Sequence, residues 1–161
     1  MHYKERVIEH LIIELETIYQ TALCAAKRAH STATDKANIA ENKYDTLGLE
    51  AAYLAEGQAK RASECGADLK AIKYLTAIDC LASDAIVIGA LVRLIDQNEQ
   101  SLSLFLAPVS GGLKFIFEKR TIVVITQSSP LGKQLLGKYV DDEFEFGIGQ
   151  YKKIYRISNV D

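Results

Sequence analysis

Apolar residues at Ile8, Ile12, Leu15, Tyr19, Ala22 and Ala26 recur at alternating steps of four and three. This is the 3.5-residue repeat that keeps one helix seam facing another, so it commits this stretch to a long helix with a partner helix. A second run, Ala52, Ala55, Ala59, Ala62, Gly66 and Leu69, repeats the alternation with smaller side chains. Up to about Leu81 the chain has no proline and almost no strand signal. Small seam residues let two helices approach closely. The pattern therefore predicts a thin antiparallel coiled-coil hairpin, slimmer toward its tip. A first helix from Lys4 to Arg28 would run roughly 37 Å at about 1.5 Å per residue.

Between the two runs, from Ser31 to Asn38, the repeat fails and capping residues gather. Thr34 or Ser31 is expected to cap the second helix, with Asp35 favourable in its electropositive first turn. Gly48 weakens a helix by roughly 1 kcal/mol relative to alanine, so a bend or short break is expected near it. Tyr44, Leu47, Leu49 and Tyr53 cluster beside the connection; they either close the end of the coil or meet a partner. Lys27-Arg28 and Lys60-Arg61 read as solvated faces, as interhelical pairs with Glu56 and Glu64, or as a basic patch toward RNA or DNA.

From Ala85 onward the period falls to two and β-branched residues take over. Strands are expected at 85–95, 102–107, 122–126, 143–146 and 153–157. Asp96-Gln97-Asn98-Glu99 reads as a hairpin turn, and Pro108-Val109-Ser110-Gly111-Gly112 as a longer loop. One short helix is fully punctuated: Ser129 at the N-cap, Pro130 at the first helical position and Gly137 just past the end. Five strands and this helix make a small α+β domain whose sheet buries one face against the helix. Phe105, Phe115, Phe117, Phe144 and Phe146 alternate as strand core residues.

The formal net charge of −2 lacks the basic excess of a protein whose main work is gripping duplex nucleic acid. No apolar run approaches the roughly 18 residues of a membrane span, since Gly89 and Arg93 interrupt the richest one. The start, Met1-His2-Tyr3-Lys4-Glu5-Arg6, has no signal-peptide core, so a cytoplasmic location is expected. Cys24, Cys65 and Cys80 form no CxxC pair and suit buried thiols in a reducing compartment. His2, His10 and His30 show no ligand spacing and read as exposed helix residues.

The run Ser129-Pro130-Leu131-Gly132-Lys133-Gln134-Leu135-Leu136-Gly137-Lys138 resembles the "SPLGRALLGK" stretch of the GreA/GreB family. Val140 to Phe146 resembles that family's "VGDEVEV", Lys153 to Ile157 its closing "YEIVSI" strand, and Ile88-Gly89-Ala90-Leu91-Val92 its "GATV"-like first strand. The match covers the C-terminal half in order. Near the hairpin tip the family carries "D-x-x-E-N-A-x-Y". Here Asn38-Ile39-Ala40-Glu41-Asn42-Lys43-Tyr44 aligns with it, with Asn38 in the aspartate position and Tyr44 one residue early.

The resemblance implies a coiled-coil hairpin over residues 1–81 and an FKBP-like domain over 82–161. It implies RNA polymerase as partner, with the hairpin passing through the secondary channel and the chain working as a monomer. Nucleic acid would be met only within the elongation complex. The tip acids would help hold an Mg2+ shared with the polymerase active site: Glu41 first, with Asp45 or Asp35 replacing the missing aspartate. The chain would have no cofactor of its own and would stimulate the polymerase's RNA cleavage without being an enzyme. Asn38, Asn42, Tyr44 and the Ser129-Pro130-Leu131-Gly132 turn would meet the partner. Asparagine keeps an oxygen acceptor but loses the charge, so a factor that occupies the channel without cleaving is the alternative. A fold relative using the hairpin to dimerise is another. An FKBP-like fold does not bring isomerase activity with it, and no histidine in this half could activate Ser129 as a nucleophile.

Overall fold

The computed structural model describes residues 3–35, 46–75 and 85–161. It contains an N-terminal helical hairpin and a mixed β-sheet domain with one short helix, as the sequence predicts. Two compact units emerge, one of Ile12–Lys70 and one of Met1–Leu11 with Ala71–Asp161. The expected boundary at 81/82 lies outside the described residues.

The hairpin pairs α1 (Tyr3–Thr34) with α2 (Leu47–Lys73). A Cβ placed on Gly66 would come within 3.0 Å of the Tyr19 ring, so the glycine lets the two helices close around that tyrosine. Nearer the tip Ala26 and His30 share a groove with Ala55 and Ala59, which makes the pairing antiparallel. The buried seam is Ile8, Leu11, Leu15, Ala22 and Ala29 on α1, with Ala62, Leu69 and Ile72 on α2. Leu11 thus takes the place expected of Ile12, and Ala52 and Ala59 are exposed. A sequence of steps of four and three can start one residue either way, and here the larger leucine turns inward.

Two other expectations are corrected, and one of the alternatives left open is selected. Ser31 and Thr34 lie inside α1 and do not cap α2; Thr34 Oγ1 donates to the His30 carbonyl at 2.9 Å, the local bond that lets threonine continue a helix. Gly48 sits in the first turn of an unbroken α2. Among the described residues Lys27, Arg28, Lys60 and Arg61 form no pairs with Glu56 or Glu64, and they stand as solvated faces.

Six strands, not five, build the sheet: β1 (Leu91–Asp96), β2 (Ser101–Ala107), β3 (Lys114–Phe117), β4 (Arg120–Thr126), β5 (Glu143–Phe146) and β6 (Lys153–Val160). Their order is β3-β4-β2-β1-β6-β5, antiparallel except for the β2–β4 pair. The missed strand, β3, joins β4 through Glu118-Lys119, both at positive φ. Tight hairpin turns of that conformation are normally written with Asn or Gly, and their absence hid the hairpin. Residues 85–90 are not strand either: Gly89 has φ +96, and Ile86 exchanges backbone hydrogen bonds with Lys138 and Gly137 past the end of α3 (Pro130–Leu135).

The sheet buries both faces. Val92, Leu94, Leu104, Leu106 and Ile125 pack with Leu135 of α3, and Phe144 and Ile157 join them. The alternate residues Leu91, Phe105, Phe115, Ile122 and Val124 are buried on the other side. There the first turns of α1 meet β3. Tyr3 stands edge-on to Phe117 with centroids 5.6 Å apart, and His10 lies 5.6 Å from Phe115 and 5.4 Å from Phe117. Arg6 covers the Phe117 ring and pairs with Glu118. His10 is therefore half-buried and not the exposed residue expected. Cys24 is exposed and Cys65 half-buried, so the expected buried thiols are not found among them; Cys80 and His2 lie outside the described residues.

Asp96 ends β1 and organises the first hairpin turn. Its Oδ1 accepts the Asn98 and Gln100 amides at 2.9 Å each, and its Oδ2 accepts Lys153 Nζ at 2.7 Å. These bonds, Lys153 first, hold its carboxyl below the usual carboxylate range, and Asp96 in turn raises the Lys153 ammonium above its own. A depressed acid contributes stability that is complete above about pH 4 and is lost as pH falls through the folded-state value. The raised lysine contributes below about pH 10 and loses it as pH climbs past its own folded value. Asp96→Ala should lower the melting temperature near neutrality and flatten the acid limb of the stability profile. Thermal unfolding followed from pH 2 to 7 measures both, and an acid limb unchanged from the parent would refute the assignment.

Candidate functional site

Two groups of predicted site residues fall in different compact units. The first is at the hairpin connection. Asp35 follows the last residue of α1 and is exposed. Asn38, Glu41, Asn42, Tyr44 and Asp45 lie outside the described residues. The antiparallel pairing brings the end of α1 and the start of α2 to the same end of the coil. On the first turns of α2, Leu47 is 71% and Tyr53 65% exposed, with Leu49 and Leu54 also open. These apolar groups do not close the coil within the described residues; they face outward on its end.

The second group is the start of α3. Ser129 is extended, at φ −70 and ψ 151. Its Oγ accepts the Gly132 amide at 3.0 Å and donates to the Thr126 carbonyl at 2.7 Å. Both roles of the hydroxyl are thus used in fixing the turn from β4 into α3, which leaves nothing for nucleophilic chemistry. Pro130 is exposed at the first helical position, Leu131 packs partly against the core, and Gly132 is buried against the Thr126 backbone. The outward face of this turn is therefore Pro130 and Lys133, flanked by Gln127 and Ser128. Leu136 and Tyr139, just past α3, are also open to solvent.

Among the described residues no three His, Cys, Asp or Glu side chains gather where a metal ion could be held. No helix among them is long and apolar enough to cross a membrane. One charged cluster was not read from the sequence. Arg93, Lys119 and Arg120 come together on the sheet face that receives α1, and they belong to β1, to the β3–β4 turn and to the start of β4. Arg93 is remote in sequence from Lys119-Arg120, so no local pattern links them. Only the strand register, which pairs Arg93 with Ser103 and Ser103 with Ile122, places them together.

No family model matches the chain. It is 26% identical over 153 residues to the transcription elongation factor GreA of Rhodospirillum rubrum, spanning 95% of this chain and 92% of that protein. It is 31% identical over 81 residues to the GreA of Novosphingobium aromaticivorans, a match covering 50% of this chain and 48% of that one. Among solved structures, the GreA factor homolog 1 (Gfh1) protein of Thermus thermophilus aligns with 98% of this chain and 94% of its own, at 18% identity and a TM-score of 0.39.

Proposed function

We propose that this GreA/GreB-like chain is a transcription elongation factor that binds RNA polymerase at its secondary channel and stimulates cleavage of backtracked transcripts. The observation that carries the reading is the similarity to a GreA along nearly the whole chain, hairpin and sheet domain together. The antiparallel α1–α2 hairpin among the described residues is the kind of element this reading requires. In this reading the β-sheet domain docks at the channel rim through the Pro130 side of α3 while the hairpin enters. The chain works as a monomer in the cytoplasm and is not itself a catalyst.

The described part of the chain gathers no complete cation site. Glu41, with Asp45 or Asp35, would supply hard oxygen ligands to an Mg2+ whose other ligands are the polymerase's. That cation would polarise the phosphodiester and ready a water for attack. What this chain would contribute is placement, since carboxylates held in position beforehand cost little to orient at the moment of reaction. The exposed Leu47, Leu49 and Tyr53 would meet the channel wall. One residue favours a second reading. Asn38 stands where the family's tip motif has an aspartate, and a neutral amide holds a divalent ion less well than a carboxylate. A factor that occupies the channel without cleaving follows from that substitution.

Stalled elongation complexes with Mg2+ decide between them. The chain should shorten backtracked RNA, and Glu41→Ala should slow this by on the order of tenfold or more while polymerase binding persists. Asp45→Ala tests the replacement acid in the same assay. Binding without cleavage would establish the channel-occupying reading. No binding to polymerase would overturn both, and a mass that doubles with concentration would then point to the hairpin as a dimerisation coil.

A further inference from the structure

We infer that the sheet face bearing Arg93, Lys119 and Arg120 is a binding site for a diphosphate group. Arg93 on β1 stands directly across from Ser103 on β2, and both belong to the wall of two adjoining cavities together with Arg120. The larger cavity, about 400 Å3, is completed by Ser101, Lys119 and Thr121. The smaller, about 240 Å3, runs toward Tyr3 and Asn159. All these residues lie in one compact unit.

The larger cavity has no acid in its own wall to balance its three cations. Among the described residues Arg93, Lys119 and Arg120 form no ion pair. Of the acids nearby, Glu118 pairs with Arg6, and Asp161 lies in the smaller cavity, where it accepts the Asn159 side-chain amide at 2.8 Å. Three like charges around one hollow repel each other, and an anion relieves that repulsion. The backbone holds the arrangement at a cost. Glu118 and Lys119 both occupy the left-handed region, at φ 47 and 66, where neither has the freedom of glycine. The Arg93 strand is pinned as well, since Ser158 Oγ donates to the Arg93 carbonyl at 3.1 Å.

The number of charges selects the ligand. A terminal phosphate carries roughly −1.5 to −2 near neutral pH, so three cations exceed what one phosphate neutralises and suit two linked phosphoryl groups. Two guanidinium forks supply paired donors to phosphoryl oxygens, Lys119 adds a compact charge, and the serine hydroxyls on the same face donate to the remaining oxygens. The ligand class is inorganic diphosphate or a small molecule bearing a diphosphate. The site is independent of the polymerase reading and is tested on the purified full chain alone.

Calorimetric titration with inorganic diphosphate at low salt should show one site per chain, with orthophosphate at least about tenfold weaker. Arg93→Ala and Arg120→Ala should each weaken diphosphate binding about tenfold or more while leaving the ligand-free melting temperature in place. Should Arg93→Ala fail to fold, Lys119→Gln at the exposed turn and Arg120→Ala carry the test. Absence of heat at millimolar diphosphate, or binding untouched by the variants, overturns the inference. A single-stranded RNA oligomer that binds through the same arginines while diphosphate does not would also overturn it, assigning the face to nucleic acid.

Discussion

Replacing Gly132 by alanine should destabilise the sheet domain by about 3 kcal/mol or more, the upper end of what overpacking a core position costs. A Cβ at that position would lie 2.0 Å from the Thr126 carbonyl oxygen, 2.8 Å from its carbon and 3.0 Å from Ser129 Oγ. Two of those atoms are backbone of β4, so no side-chain rotation relieves the clash and α3 must move off the strand. Movement is expensive because α3 contributes the fully buried Leu135 to the core and because Ser129 ties the turn to the same carbonyl. Urea unfolding of the parent and Gly132→Ala measures the difference, and equal midpoints would show that α3 is free to shift. Ser129→Ala, which removes the hydroxyl's bonds to the Gly132 amide and the Thr126 carbonyl but adds no atom, should cost less, about 1–2 kcal/mol. The contrast bears on the proposed docking surface. A Gly132 variant that no longer binds polymerase reports a damaged fold, whereas substitutions at the exposed Pro130 and Lys133 report the surface itself.

The same turn shows what kind of structure a sequence states openly. Ser129, Pro130 and Gly137 punctuate α3 because each answers a local backbone demand: an amide to cap, a missing N–H, a positive φ of 80°. The helical seam was also legible, since a repeat sustained over 20 residues outweighs a shift of one position from Ile12 to Leu11. What escaped was set by partners distant in sequence. β3 depends on β4 for its existence and turns through Glu118-Lys119 with none of the residues such a turn favours. Residues 85–90 have the composition of a strand, but Gly89 turns the chain and Ile86 spends its hydrogen bonds on the end of α3. Ser31 and Thr34 are good caps that became ordinary helix residues because nothing obliged α1 to stop before them. The candidate sites divide the same way. Ser129 to Gly132 came from a contiguous motif, while Arg93 and Arg120 meet only through the strand register.

Lys4→Met should stabilise the protein by about 1–3 kcal/mol, the range for removing a buried polar group that lacks a hydrogen-bond partner. Lys4 is only 3% exposed, and its Nζ has no partner among the described residues. It occupies the same helical face as Val7, Ile8 and Leu11, all buried, at the spacing that continues the apolar stripe one turn toward the start of α1. The methylene stem fits that stripe and the amine does not. Methionine keeps the length and flexibility of the stem and removes the polar head, so packing is retained while the desolvation cost disappears. Lys4→Ala separates the two contributions. It also removes the amine but empties the space the stem fills, so its gain should be smaller than that of methionine or turn into a loss. Thermal and urea unfolding of the three proteins settles the order. If Lys4→Met proves less stable than the parent, the ammonium has an anionic partner outside the described residues, and the first turn of α1 is held by an ion pair and not by its apolar face alone.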